Sequence, residues 1–411
     1  MAQQQATPSR YRYVIAGLTL ALNLSIGLSF FAISPLLPLI VDDYSISRTD
    51  AGLLSGLAIL IQAAFGIPGG FLAVRLGLKP IFAAGWLLAG AMVLTPLADN
   101  FATLVALRVV FALGVAVLFP ATGPLLMRWF KPREYSVMTA LNWAASSLGM
   151  AISMFTAAPL AEALGWQGAL AVFGGVTLLG AMAWLALGRA GQTKATEAPK
   201  VSMGELRRAI FSRVTLLMAL ADGAGYAQYA ALTTWLPTYY SERLGLSLTQ
   251  VGFITGFLPF AGMIGVLLGG ILPAFTRARR PFIVVPGLLL CLAGFGSFIT
   301  GNLAIIYISL LAVGFASWFY GPTLFTLPME LPGASQARVA MAWSVVAAVA
   351  SVMAFSSPLT VGALADSTGS YMPGFTLWAI FSLVMAVAGM LLPMPKASRP
   401  QESGRAAIHR R

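Results

Sequence analysis

The sequence predicts an all-α membrane protein, with twelve transmembrane helices arranged as two six-helix repeats. Three observations carry that expectation: the composition, a long internal repeat, and the placement of charge between apolar stretches. Of 411 residues, 58% are hydrophobic and 9% charged, against averages of about 45–50% and about 25% in soluble domains. A soluble core cannot use so much apolar surface, so most of the chain faces lipid. The repeat is read directly from the glycines. Gly52, Gly56, Gly69 and Gly70 return 200 positions later as Gly252, Gly256, Gly269 and Gly270. Ser47, Thr49, Gly114, Phe119, Trp143 and Phe155 likewise return as Ser247, Thr249, Gly314, Phe319, Trp343 and Phe355. Self-similarity at one long period means two copies of one unit. Here both copies run in the same direction through the membrane.

Twelve apolar stretches are long enough to cross roughly 30 Å of hydrocarbon at about 1.5 Å per residue. They cover 13–40, 48–74, 80–98, 102–127, 136–160 and 166–188 in the first copy. The second copy holds 213–240, 247–273, 281–300, 303–326, 338–361 and 373–393. The first stretch is too long for a signal-peptide core and lacks a cleavage site, so it counts as a span. The expected organisation is a six-helix half over 1–188, a linker over 189–212, a second half over 213–395 and a tail over 396–411. Within the linker, Ser202-Met203-Gly204-Glu205 has the form of a capping box. Two readings of the linker stand: a short helix on the inner membrane surface, or a solvated flexible connector.

Charge fixes the expected orientation. With the N-terminus in the cytoplasm and the loops alternating, every Lys and Arg except Arg48, Arg108 and Arg243 falls on the cytoplasmic side. The outer loops carry acids instead, among them Asp42, Asp43, Asp99, Glu162 and Asp366. This is the positive-inside bias, and it predicts a multi-pass protein of the cell (inner) membrane with both termini cytoplasmic. The net charge of +12 therefore reports topology, and nucleic acid is not an expected partner. Cys291 is the single cysteine and His409 the single histidine, so neither a disulfide nor a metal centre is expected. No phosphate-binding loop and no serine elbow are present, which argues against ATP coupling and against an enzyme. No cofactor is expected.

Two charges fall inside apolar stretches. Arg108 lies roughly 9 Å from the outer end of its span by helical rise. A guanidinium there is costly unless it faces a partner or a wet cavity, and its fork suits a carboxylate or other oxyanion; snorkelling to the outer surface is the other reading. Asp222 is the one carboxylate more than a turn inside a span, about 13 Å from the inner end. Its counterpart in the first copy is Asn23. A carboxyl group at that depth suits the loading and release of a proton, or a structural hydrogen bond, including a pairing with Arg108. Tyr226, Tyr229 and Thr233 follow Asp222 at helical spacing and form one polar-aromatic stripe. Asn142, Trp318 and Tyr320 are further candidates for the same pathway. Trp235, Tyr239 and Tyr240 read either as part of that wall or as an interfacial aromatic belt. The pairs Gly52/Gly56, Gly66/Gly70, Gly252/Gly256 and Gly265/Gly269 permit close helix approach, where the two halves would slide.

Gly70, Arg75, Gly77 and Lys79 form a Gly-x-x-x-x-Arg-x-Gly-x-Lys turn after the second span. With twelve spans in two repeats and a central basic loop, it resembles the major facilitator superfamily. The stretch Leu104-x-x-x-Arg108-x-x-x-Ala112-x-Gly114-x-Ala116 is similar to a second motif of that family. The first turn departs from the family pattern at Val74, where an Asp belongs, and at Leu78, where a basic residue belongs. The resemblance implies alternating access about a central site, with that turn as a gating loop. The Trp235-Leu236-Pro237-Thr238-Tyr239 stretch and the Arg108–Pro120 region look most like bacterial anion/cation symporters and cyanate- or nitrate-type porters. The expected function is proton-coupled uptake of a small organic or inorganic anion by a monomer in the lipid bilayer, with Arg108 attracting the anion and Asp222 carrying the proton. Transport of a cationic or neutral metabolite, or a non-transporting membrane sensor on the same fold, are the alternatives.

Overall fold

The computed structural model describes residues 10–191, 212–276, 278–330 and 336–393. The linker's capping box, the tail and Arg277 lie outside those residues. Helix α1 (Arg12–Phe30) stops early because Pro35 and Pro38 follow it, and neither can donate to the preceding turn. A single 3₁₀ turn, Ser34–Leu36, then leads into α2 (Leu37–Tyr44). Helix α3 (Arg48–Leu76) begins at Ser47, whose hydroxyl accepts from the Asp50 N–H at 3.1 Å. Helix α4 (Leu78–Ala89) tightens into a 3₁₀ segment, Gly90–Leu97. Asn100 caps α5 (Phe101–Trp129) by accepting from the Thr103 N–H at 2.9 Å. The helical run α6 (Pro132–Leu187) is two arms meeting at Gly165, where φ is 73° and ψ 164°; that left-handed φ favours glycine.

The second copy opens with α7 (Arg213–Leu244) and α8 (Leu248–Ile271). Ser247 and Gln250 build a reciprocal capping box at the start of α8, so the repeat mates Ser47 and Ser247 start their helices in the same way. There follow α9 (Pro281–Phe298), α10 (Leu303–Phe319), α11 (Gly321–Glu330), α12 (Gln336–Thr368), α13 (Met372–Phe381) and α14 (Leu383–Leu391). No strand occurs among the described residues. Ten helical stretches are long and apolar enough to cross a membrane. One of these, Val137–Leu187, contains both arms of α6, and α7 is long enough at 32 residues but less apolar. The kink and α7 together bring the count to the twelve crossings expected. The protein's lateral face is apolar, with Phe71, Leu179, Leu292 and Ile308 exposed, as helices in lipid require.

The two copies meet along two seams, α3 against α12 and α8 against α6. The glycine pairs explain why the backbones come so close. A Cβ on Gly52 would stand 2.7 Å from the Pro358 carbonyl oxygen, and one on Gly56 2.9 Å from that of Phe355. On the other seam a Cβ on Gly252 would stand 2.6 Å from the Met154 carbonyl oxygen, and one on Gly256 2.4 Å from the Phe155 ring. Phe155 and Phe355 are themselves repeat mates, so one contact is made twice. Gly265 and Gly269 instead pack on Phe315 and Phe319 of α10, within the second copy. Both seams lie towards the end of the bundle that carries Asp42, Asp43, Asp99, Glu162 and Asp366, called the acidic end below.

Candidate functional site

Arg108 is fully buried, and its fork is occupied by backbone. Nε donates to the Leu54 carbonyl at 3.2 Å, Nη1 to that of Ser29 at 3.0 Å and Nη2 to that of Phe30 at 3.0 Å. The last two carbonyls belong to the final turn of α1, which the proline break leaves without N–H partners. They also form the negative end of that helix. The guanidinium therefore caps the broken helix and ties it to α3, with the Phe111 ring 5.1 Å from Cζ on its own helix. It does not snorkel, and it does not pair with Asp222.

Asp222 is half-buried on α7, about 13 Å from that helix's start. The Tyr320 hydroxyl donates to its Oδ1 at 2.8 Å and stands 3.4 Å from its backbone carbonyl. Tyr320 follows the last residue of α10 and is itself buried. The structure thus joins two of the expected site residues directly. Tyr226 lies one turn further along α7 and is half-buried, while Tyr229 and Thr233 are buried. The stripe consequently begins at a half-buried carboxylate and runs into the contact between the copies. There the Tyr229 ring meets Phe31 at 6.1 Å and Trp318 at 5.8 Å, and its hydroxyl lies 3.9 Å from Met150 Sδ.

In the first copy, Asn23 Nδ2 donates to Asn142 Oδ1 at 2.8 Å and to the Thr19 carbonyl at 2.9 Å. Asn142 in turn donates to the Met138 carbonyl at 2.7 Å. This amide pair stands roughly 15 Å from the starts of α1 and α6 by helical rise, a depth comparable with that of Asp222. Beside it Trp143 reaches across to the second copy, with Trp318 at 6.1 Å and Phe325 at 5.7 Å. Phe325 then stacks on Trp343 at 4.1 Å. Sequence reasoning missed Trp143, Phe325 and Trp343 as members of this group. The recurrence of Trp143 as Trp343 was the available signal. Chemically, the arrangement offers one titratable carboxylate, neutral hydrogen-bonding groups and aromatic walls. Among the described residues no cluster of metal-ligating side chains occurs.

The remaining candidates lie elsewhere. Gly70 is within α3, Gly77 starts α4 with φ 88°, and Arg75 and Lys79 are exposed at the basic end. The reading of Trp235, Tyr239 and Tyr240 as an interfacial belt is corrected. All three are buried, and their polar tips donate to the carbonyls of Pro358, Phe298 and Ser297 at 2.8, 2.7 and 2.5 Å. They brace α7 against α12 and α9.

A family model described as Major Facilitator Superfamily matches residues 19–354. A probable sulfoacetate transporter of Cupriavidus necator is 25% identical, the match covering 97% of this chain and 98% of that one. A hexuronate transporter of Bacillus subtilis is 24% identical over 90% of this chain and 92% of its own. Among solved structures, a bacterial homolog of the human lysosomal transporter Spinster, inward-facing and occupied, superposes with a TM-score of 0.75. That similarity covers 94% of this chain and 97% of the other at 17% identity, and concerns the fold.

Proposed function

The chain belongs to the Major Facilitator Superfamily and is a transmembrane transporter, not an enzyme; from that premise we propose that it carries a small organic or inorganic anion together with protons by alternating access. The observation that carries this reading is the Asp222–Tyr320 pair. It places a half-buried carboxylate, held by one hydroxyl at 2.8 Å, on α7 about two turns before the aromatic contact that Tyr229 makes between the copies. An anion arriving with a proton on Asp222 meets a neutral site, which lowers the cost of carrying charge through a low-dielectric path. The relatives named for sulfoacetate and hexuronate support an anionic substrate.

With three donors of Arg108 on carbonyls, its positive charge acts on the anion through the local field, while neutral donors such as the Asn23–Asn142 pair make contact. The halves that rock are 1–188 and 213–395, joined by the 189–212 linker, and the protein works as a monomer. The acidic end faces the exterior of the cell membrane and the basic end, with both termini, faces the cytoplasm. A second reading has one observation in its favour. Asp222 with the Tyr320 hydroxyl on its Oδ1, and Tyr226 one turn along α7, also suits a cationic substrate, since aromatic faces and a carboxylate both attract cations.

The test is a thermal-shift panel on purified protein with sulfoacetate, glucuronate, nitrite, neutral sugars and quaternary amines, because ligand at about 100 times Kd stabilises by about 2.7 kcal/mol. Stabilisation by an acid, stronger at low pH, supports the proposal. Stabilisation by amines alone, lost in Asp222→Asn, replaces it with the cationic reading.

A further inference from the structure

Midway along α7, three hydrogen-bond donors of the second copy meet without a strong acceptor. Tyr229 stands about 24 Å from the start of that helix, halfway along its 32 residues. Thr233 follows one turn later on the same face. The Trp318 ring of α10 meets the Tyr229 ring edge-on, with centroids 5.8 Å apart and planes at 89°. The Trp318 Nε1–H and the Thr233 hydroxyl both neighbour the Tyr229 hydroxyl. Both atoms are closed off from solvent, and neither reaches hydrogen-bond geometry with any described residue. The acceptor for the Tyr229 hydroxyl itself is the Met150 thioether, at 3.9 Å, and thioether sulfur accepts weakly.

Buried donors are ordinarily paired, and each one left unpaired costs stability. Orphan hydroxyls occur elsewhere among the described residues, at Ser147 and Thr238 for example. What sets this group apart is that three donors converge where helices break. The first span gives way to its 3₁₀ turn just after Phe30, and Tyr320 separates α10 from α11. Broken helices at such a depth are suited to holding a substrate, since they bring unpaired polar groups to one place. The covers of the group come from the other copy. The Phe31 ring lies 6.1 Å from that of Tyr229, and Met150 belongs to α6. All three donors move with the second copy and both covers with the first, so parting the copies uncovers the group intact.

We propose that Trp318, Tyr229 and Thr233 are the groups that bind the transported anion, and that they take a singly charged oxyanion head such as a carboxylate or sulfonate. This assignment rests on the anion reading above and names the side chains that carry it out. An indole N–H and two hydroxyls offer three donors to one cluster of oxygens, and bonds to a charged acceptor are the strong ones. No cation joins them. Arg108 is engaged by carbonyls of the first copy, and neither ion pair found among the described residues touches the group. Desolvation therefore sets the selectivity, and its cost grows with the square of the charge. A doubly charged head such as sulfate is excluded on that ground, although its oxygens resemble those of a sulfonate. Asp222 lies about 10 Å nearer the inner end of α7. Its charge, while present, repels an anion held here, and a proton on it removes that repulsion.

The experiment is isothermal titration of the purified full-length protein with whichever of sulfoacetate, glucuronate or nitrite raises the parent's Tm. Trp318→Phe, Tyr229→Phe and Thr233→Val each keep the apolar bulk and remove one donor. Kd is expected to rise about tenfold or more for each. Tm without ligand should stay level or rise, because each change removes a polar group that is already poorly paired. Thr238→Val deletes an orphan hydroxyl further along α7, outside the group, and should leave Kd unchanged. Sulfate in large excess should not displace the bound anion. An unchanged Kd in both Trp318→Phe and Tyr229→Phe, with the parent still binding, overturns the group and leaves anion transport standing. A ligand-free Tm well below the parent's in those two variants gives the donors a structural role and overturns it as well. Displacement by sulfate overturns the selectivity for a single charge. If no anion raises the parent's Tm, the anion reading itself fails and takes this assignment with it, a result reached before any variant is made.

Discussion

Arg108 and Asp222 are the two charged residues that the sequence places inside apolar spans, and the structure treats them oppositely. Arg108 is closed off from solvent and has three backbone carbonyls at 3.0–3.2 Å. Asp222 is half-buried and is held by one hydroxyl at 2.8 Å. Both were read as functional because they lie within spans, Arg108 from the cost of a charge there and Asp222 from its depth. The difference shows that cost alone does not separate a brace from a working group. A charge whose partners are fixed backbone atoms stabilises one shape of the fold. A charge held by a single movable donor is free to change state.

The largest expected effect breaks the comparison on the Arg108 side. Arg108→Ala leaves the Ser29, Phe30 and Leu54 carbonyls without that donor in a buried place, at about 1–3 kcal/mol for each group left unsatisfied. Folded yield and Tm should therefore fall severely. If Arg108→Ala folds normally and only substrate affinity drops, Arg108 belongs to the substrate site and the contrast with Asp222 disappears. Arg108→Lys keeps the charge and loses the fork. It is expected to lower Tm by less than Ala does, with transport changed only in proportion to folded protein.

Smaller effects sharpen the Asp222 side. Tyr320→Phe removes the one hydroxyl on the carboxylate, a charge-assisted bond of about 1.5–3 kcal/mol, so net uptake should fall about tenfold while Tm moves little. Asn23→Ala deletes the amide bond to Asn142 at a cost of about 1 kcal/mol. It should weaken binding of the substrate several-fold without altering the pH dependence of uptake.

The fold was legible because its determinants are local or repeated. Glycines at a fixed offset announced the seams where Phe155 and Phe355 pack, whereas the break of α1 after Phe30 falls inside the stretch 13–40 that was read as one span. The partner of Arg108 was not legible, since a backbone carbonyl has no residue type to betray it. Only the coincidence of a helix break in one span with an arginine in another could have hinted at it. Asp222 was found from its depth, but its partner Tyr320 came from almost a hundred positions away. Tyr320 was only a weak candidate, because many aromatics in such helices simply pack. Asp366 and Glu162, whose carboxylates accept from the Thr49 and Thr249 hydroxyls across the seams at 2.7 and 2.8 Å, were counted in the sequence as topological charge. What the sequence held, without its meaning being read, was the repetition of Thr49 as Thr249.

The central claim is that Asp222 carries the proton. It is tested most directly in proteoliposomes, using whichever of sulfoacetate, glucuronate or nitrite raises Tm. Asp222→Asn keeps the size and hydrogen bonding of a neutral acid, so folding stability should stay within about 1 kcal/mol of the parent. Net uptake driven by an acid-outside gradient should be abolished, and exchange of labelled for unlabelled substrate should continue. Net uptake that persists with its pH dependence intact, or exchange that is lost together with it, would contradict the account.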